Sequence, residues 1–512
     1  MRSAHGVAET VLVAGLLMGA PGPSTAQDRD CELVSAERSI MRGADDSSRR
    51  YWLTKPVFEC PGGTRIQADS SIHYDNSAFH QFYENVTFVD KGKELTAQFA
   101  QYFARSGRLD ARGDANTRVR IVTLETGDTI TGSEVVLLQA NEQRLEDQLT
   151  VRGGRPRAVF HAQRSLEEAG DETPPREAGA VPYEIVADWI YMEGEGLLRA
   201  KTRVEIERAG MEAYADSAEF DQAKGRLLLF RRARILRDSL DVRGDTMAVL
   251  MPNDALEELE SRGNAHLIAG EVMIDGKVLR VFFVEDEPSQ VIALRRPTPV
   301  TVEMDEVEVE EDEIEEEGAP ERISRPDLLD HPESQALDSL PQAKARAEDF
   351  TVTADSIEVD LPGGRLRRLF AAGVARAVSS ARDSLNEPDM PEEFRSDWLV
   401  ADTVIATFVR PDQVSVESED GDATNDHQLD TLLGRVNAKT FYRMAPRDTV
   451  AVRPDESGRR PLELNYTLGD EIKIFLNATA EVDSMNVENP KGAYLQPAVP
   501  ARPAPDTTSA RR

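Results

Sequence analysis

The chain of 512 residues is poor in the residue types from which active sites are built. It holds two cysteines, Cys31 and Cys60, too few for a cysteine-bound metal cluster or a dense disulfide framework. Its seven histidines, His5, His73, His80, His161, His266, His331 and His427, are scattered and form no H-E-x-x-H. There is no G-x-S-x-G, no phosphate-binding glycine loop and no C-x-x-C. The expectation is a protein that is not an enzyme and needs no metal or cofactor. Cations are also scarce: 60 Lys and Arg against 93 Asp and Glu leave a formal charge of −33. Such a surface repels nucleic-acid phosphates and anionic lipid headgroups. No stretch is apolar for long enough to span a bilayer. Nor is there a series of strands with aromatic girdles, so a membrane barrel is not expected.

What the chain does have is alternation. In residues 64–75, Ile66, Ala68, Ser70, Ile72 and Tyr74 share one parity, while Arg65, Gln67, Asp69, Ser71 and His73 share the other. A period of two predicts a strand with one buried and one wet face. The turn-forming Asp75, Asn76 and Ser77 follow, then a second strand through Val86 and Phe88. Residues 109–121 alternate most cleanly, with Leu109, Ala111, Val119 and Ile121 on one side and Arg112, Arg118 and Arg120 on the other. A helix would scatter those charges around its axis.

The first unit returns. Ala-Asp followed by Ser, Thr or Trp occurs at Asp69, Asp188, Asp216, Asp355 and Asp402. Partner segments built around a small residue recur at Gly113-Asp114-Ala115, Gly263-Asn264-Ala265, Gly373-Val374-Ala375 and Val436-Asn437-Ala438. Repeats of this kind decide a fold, because each copy must bury its face on its neighbours. An aspartate at the same place in every copy reads as structural, since catalytic carboxylates are usually unique and held in contrasting environments. His73 and His80 read as a solvated pair, and Trp52, Trp189 and Trp398 as core anchors.

The run A-D-S-x-x-x-Y-D at Ala68 to Asp75, followed by F-Y-E-N-V-T-F from Phe82 to Phe88, resembles the OstA-like domain of the LptA family of periplasmic lipopolysaccharide-transport proteins. The resemblance implies an all-β fold, a V-shaped β-jellyroll of antiparallel strands open along one side. It implies a trough that holds acyl chains of lipopolysaccharide or a related glycolipid. The expected lining is Ile66, Ile72, Tyr74, Val86, Phe88, Phe99, Val119, Ile121, Ile185, Val204 and Ile206. It also implies a bridge between inner- and outer-membrane components, built by adding edge strand to edge strand. A structural β-solenoid with a closed core, acting as a cell-envelope scaffold or adhesin, is the alternative.

In order along the chain, residues 1–26 read as a signal peptide, with Arg2 ahead of an apolar core and a small-residue site near Ala26. Export to the periplasm suggests that Cys31 and Cys60 are bridged, two free thiols being the alternative. Three β domains are expected, at 31–165, 182–297 and 350–476, the first two joined by a short loop. Residues 303–317 are almost all acidic, so 300–348 reads as a solvated linker that tethers the third domain loosely. Residues 490–512, rich in Pro and Ala, read as disordered.

Overall fold

The computed structural model describes residues 31–43, 49–60, 62–74, 78–161, 181–194, 196–252, 255–295, 341–347, 349–381, 392–409, 428–444, 463–477 and 482–496. The signal peptide, the loop 162–180, most of the acidic segment and residues 497–512 lie outside them. The chain divides into two compact units: Met1–Leu124 with Val136–Leu145, and Glu125–Val135 with Glu146–Arg512. Both are all-β and antiparallel, and the described residues contain no α-helix.

One device shapes both units. Each long strand carries a register break at its middle, and the two halves belong to two facing leaves. In the first unit, residues 65–67 pair with the far half of Phe79–Asp90 and residues 70–74 with its near half. The break in Phe79–Asp90 falls at Glu84 and Asn85, both left-handed, with φ of 62° and 48°. The second unit repeats this at Thr202-Arg203, Arg231-Arg232, Gly263-Asn264, Gly373-Val374 and Val436-Asn437, all at positive φ. Two successive left-handed residues turn the strand through a corner, at a cost of about 1 kcal/mol or more for each residue with a Cβ.

The recurring aspartates stand against these corners. Asn85 Nδ2 donates to Asp69 at 2.6 Å, and Arg203 grips Asp188 through Nε and Nη2 at 3.0 and 2.6 Å. Arg232 donates to Asp216, Asn437 to Asp402 at 3.4 Å, and Arg295 to Asp355 at 2.9 Å. The Arg203 guanidinium holds the Asp188 carboxyl below its ordinary range. The residue after each left-handed pair is small and buried: Val86, Val204, Ala233, Ala265, Ala375 and Ala438. Space at the corner is that tight because the two leaves meet there.

The alternation in 64–75 is therefore broken at the corner. Ile66 and Ala68 point inward, but beyond Asp69 the inward residues are Ser71 and His73, and Ile72 and Tyr74 turn outward. The segment 109–121 is likewise two strands, Arg108–Arg112 and Val119–Thr123, which pair with opposite halves of Lys93–Phe103. Between them, Asp114 Oδ1 accepts the N–H groups of Asn116 and Thr117 at 2.8 and 2.7 Å, so Gly113 and Asp114 form a turn instead of a strand centre.

The second unit is a continuous ladder across positions where domain boundaries were expected. Arg157–Phe160 pairs with Tyr183–Val186. Val272–Val284 pairs with both Glu287–Leu294 and Ala343–Ala347, and these pair onward with Ser356–Asp360 and Phe350–Ala354. The strands on either side of residues 296–340 both pair with Val272–Val284, so the expected third domain joins the same ladder as the second and is not loosely tethered. Loop closure grows only logarithmically with length, so a long insertion weakens such a rung little. Gly492–Gln496 also forms a strand, on Glu463–Leu476, inside the stretch read as disordered. No tryptophan lies in the buried core. Trp52, Trp189 and Trp398 are half-buried on outer faces, under Arg42, Lys201 and Arg376 respectively.

Cys31 and Cys60 form a disulfide across a sequence separation of 29 residues. Reducing it should lower the stability of the first unit by about 3–4 kcal/mol, read as a lower melting temperature; coincident melts of the oxidised and reduced protein would contradict this. At the corner, Gly373 has φ of +83°, and a Cβ there would stand 2.6 Å from Asp355 Oδ2. Gly373→Ala should therefore destabilise by roughly 1–2 kcal/mol in denaturant titration, whereas the same change at Gly210, where a Cβ meets nothing within 4 Å, should have a smaller effect.

Candidate functional site

The space between the leaves is the candidate site. The inward parity of every strand supplies its lining, and the corner closes one side. In the first unit the inner faces bring Phe58, Ile66, Val86 and Phe88 of one leaf against His80, Phe82, Ala100 and Tyr102 of the other. Phe58 meets the rings of His80 and Phe82 at 4.8 and 5.7 Å, and Phe88 meets Tyr102 at 5.8 Å. In the second unit Tyr183 faces Phe220 at 5.0 Å, and Phe350 faces Phe408 at 6.1 Å.

Opposite the corner is the mouth, and there side chains connect the leaves. In the first unit the Tyr102 hydroxyl donates to Gln139 Oε1 at 2.9 Å. Gln139 Nε2 in turn donates to Thr64 Oγ1 and Asp90 Oδ2, each at 2.8 Å. Burial, with the Asp90 carboxylate beside it, pushes the Tyr102 phenol up to about 12, so it remains a neutral donor. In the second unit Gln222 Nε2 donates to the His161 carbonyl at 3.2 Å, and Arg237 lies 3.5 Å from Asp286. His161 is itself held by Asp128, through its N–H at 2.8 Å and its Nδ1 at 3.0 Å.

Inward side chains among the described residues are closely packed. Ile66, Val119, Leu229, Val242 and Ile274 are fully or almost fully buried. A recess of about 40 Å³ among Phe350, Ala377, Leu399, Leu432, Tyr442 and Ile474 has room for a few water molecules.

Of the residues expected to line a trough, Ile66, Val86, Phe88, Val119, Ile121, Ile185, Val204 and Ile206 face the interior. Ile72, Tyr74 and Phe99 do not. Each lies past a corner that reverses parity, and Phe99 packs against the outward Tyr83 with ring centroids 5.2 Å apart. The solvated histidine pair is also overturned. His73 and His80 point inward, with Nδ1 atoms 3.2 Å apart and rings stacked at 4.5 Å. Burial first, and then His73, lowers the His80 pKa to about 3. The sequence reading missed two corner aspartates. Asp245 accepts from Asn264 at 3.1 Å and Asp470 from Asn489 at 3.1 Å, but each follows Gly instead of Ala. Gly244 and Gly469 are needed because a Cβ would strike Ser261 at 2.1 Å and Val487 at 2.7 Å. A search for small-Asp in place of Ala-Asp would have found both.

No family model matches the chain, and no curated protein matches it. Among solved structures, similarity is found to LptH, the LptA homologous periplasmic component of the conserved lipopolysaccharide transport device from Pseudomonas aeruginosa. The match covers 39% of this chain and 82% of that one, at 10% identity and a TM-score of 0.11. At that score nothing about the ligand of this chain follows from it.

The buried histidine makes a pH prediction. His80 is neutral in the folded state, with a pKa of about 3 against an ordinary 6.5. Between those values the unfolded chain takes up a proton that the folded chain refuses. Stability is therefore complete above about pH 6.5 and is lost as the pH falls, by up to about 1.4 kcal/mol per unit from this group. Melting curves between pH 7 and pH 4 should show a shallower decline in His80→Phe than in the wild type, and parallel declines would refute the assignment.

Proposed function

We propose that this protein is an exported lipid-binding carrier, not a catalyst, which holds acyl chains of lipopolysaccharide or a related glycolipid between its leaves. The observation that carries this reading is the asymmetry of the two sides. The corner is held by backbone ladders and carboxylate contacts, whereas the mouth contacts found are a few hydrogen bonds, an ion pair and ring packing. Such contacts are worth about 1 kcal/mol each, while each buried methylene returns about 0.8 kcal/mol. An acyl chain that buries half a dozen methylenes therefore outweighs the local clasp. The disulfide supports an oxidising compartment such as the periplasm. No helix among the described residues is long and apolar enough to cross a membrane.

The outermost strands support the bridging part of the reading. Glu32–Ser35 and Arg38–Arg42 expose Val34 and Met41 to 51% and 57%, and Gly492–Gln496 exposes Tyr494 and Leu495 to 59% and 58%. Open edges with apolar side chains invite strand addition by membrane-bound partners. The close packing of the described inward side chains favours a second reading, a scaffold whose core stays closed.

Photo-crosslinking distinguishes the two. With a photoreactive side chain at Ile66 or Leu229, the carrier should crosslink lipid in a cell that makes lipopolysaccharide, and at the outward Arg120 or Arg199 it should not. Gln139→Ala, which opens one clasp, should increase labelling at Ile66. Absence of lipid at both inward positions, with the protein folded, would establish the scaffold instead.

A further inference from the structure

The outer face of one leaf of the first unit departs from the rest of the surface. Three rows cross its strands, with residues in each row paired directly from strand to strand. The row at the mouth side reads Arg42, Arg50, Tyr74, Phe79, Phe103 and Arg108. The middle row is Ile40, Trp52, Ile72, Gln81, Gln101 and Asp110. The corner-side row is Arg38, Thr54, Ser70, Tyr83, Phe99 and Arg112. Five guanidiniums share these rows with one carboxylate, in a chain of formal charge −33.

The second unit uses its outward arginines differently, setting each of the following against carboxylates: Arg199 with Glu219, Arg157 with Glu184, Arg234 and Arg243 with Asp241, and Arg262 and Arg280 with Glu260. On the first unit's face, Arg42 and Arg50 cap aromatic rings instead, while Arg108 caps a ring and also pairs with Asp110 at 2.8 and 3.0 Å. Arg42 lies 5.3 Å from the Trp52 ring, Arg50 5.1 Å from Tyr74 and Arg108 5.9 Å from Phe103. Tyr74, Phe79 and Phe103 form an unbroken ribbon with ring separations of 5.2 and 4.7 Å, and none of the three is fully buried. Gln81 accepts from the hydroxyls of Tyr74 and Tyr83 at 3.0 and 3.2 Å, which keeps a polar line beside the ribbon.

We infer that this face binds an anionic polysaccharide, a chain of sugar rings bearing carboxylates. The guanidiniums of Arg42 and Arg50 at one end of the ribbon match carboxylates bidentately. A sugar ring is amphipathic: its C–H face packs on an aromatic ring while its hydroxyls reach the glutamines and tyrosine hydroxyls at the side. Six strands at about 4.8 Å spacing make a platform roughly 24 Å wide, long enough for several rings in line. A nucleic acid would need bases intercalated on free ring faces, but here Phe79 already lies between Tyr74 and Phe103. The acyl-chain reading is independent of this site, which lies on the opposite side of the leaf from the interior.

The test uses the full chain and measures binding by the fluorescence of Trp52 after Trp189 and Trp398 have been replaced by Phe. Polygalacturonate should bind, more weakly as salt rises, and neutral dextran of equal length should not. Arg42→Gln with Arg50→Gln should weaken binding by about 10-fold or more, Tyr74→Ser should weaken it, and the double Arg→Lys variant should recover part of the affinity. Circular dichroism of each variant should match the parent, since all these side chains face solvent. Three results would overturn the inference: no binding of polygalacturonate, equal binding of dextran, or single-stranded DNA or phosphatidylglycerol vesicles binding as tightly and losing it in the same variant.

Discussion

Everything in this structure depends on a backbone conformation that most residues avoid. Two consecutive left-handed residues bend each alternate strand, and four of the six such pairs contain no glycine. Val436 and Thr202 are β-branched, for which positive φ is a true outlier. That cost recurs rung after rung, so something must offset it. The offsetting contact is the aspartate on the neighbouring strand, which takes the side chain of the second left-handed residue: Asn85, Arg203, Arg232, Asn264 or Asn437. The strand folds because the carboxylate rewards the bend, and the carboxylate is positioned because the strand folds.

Once the corner is fixed, the rest follows from geometry. Inward side chains from both halves of each strand meet in one interior, and outward ones remain wet. The residues beside the corner must be small, which is why Ala, Gly and Val recur there. Stiffness is then unequal across the section. The corner side is a ladder of backbone hydrogen bonds, and the mouth is joined by side chains that rotate freely once parted. A structure built this way bends about its corner more easily than it stretches along its rungs.

Much of this was legible in the chain. Period-two patterning identified the all-β class, and the recurrence of Ala-Asp identified the repeat and the structural character of its aspartates. The inward parity of Val119, Ile121, Ile185, Val204 and Ile206 was readable because a left-handed pair keeps parity, as from Ala200 to Val204. It failed at Ile72, Tyr74 and Phe99, because in the strands that face the left-handed pairs the buried parity shifts, from Ala68 to Ser71 and from Ala97 to Ala100. His73 and His80 look polar in sequence, and only the fold reveals that they stack on each other with His80 buried. The acidic stretch looked like a boundary because composition reports what a segment is, not whether the strands on either side of it pair. Those pairings, 290–294 with 356–360 and 272–275 with 344–347, are non-local contacts that carry no local signal.

The alternation of aspartate strands and left-handed strands also sets a rule of counting. Through the second unit the order runs Asp188, Thr202-Arg203, Asp216, Arg231-Arg232, Asp245, Gly263-Asn264, and later Asp355, Gly373-Val374, Asp402, Val436-Asn437, Asp470. Removing a single strand would set carboxylate against carboxylate, or bend against bend, where the gap closes. Removing two restores the match. The quantum of length in this architecture is therefore the hairpin, and a chain of this kind lengthens or shortens across generations in even steps, its odd intermediates excluded by electrostatics and by backbone strain together.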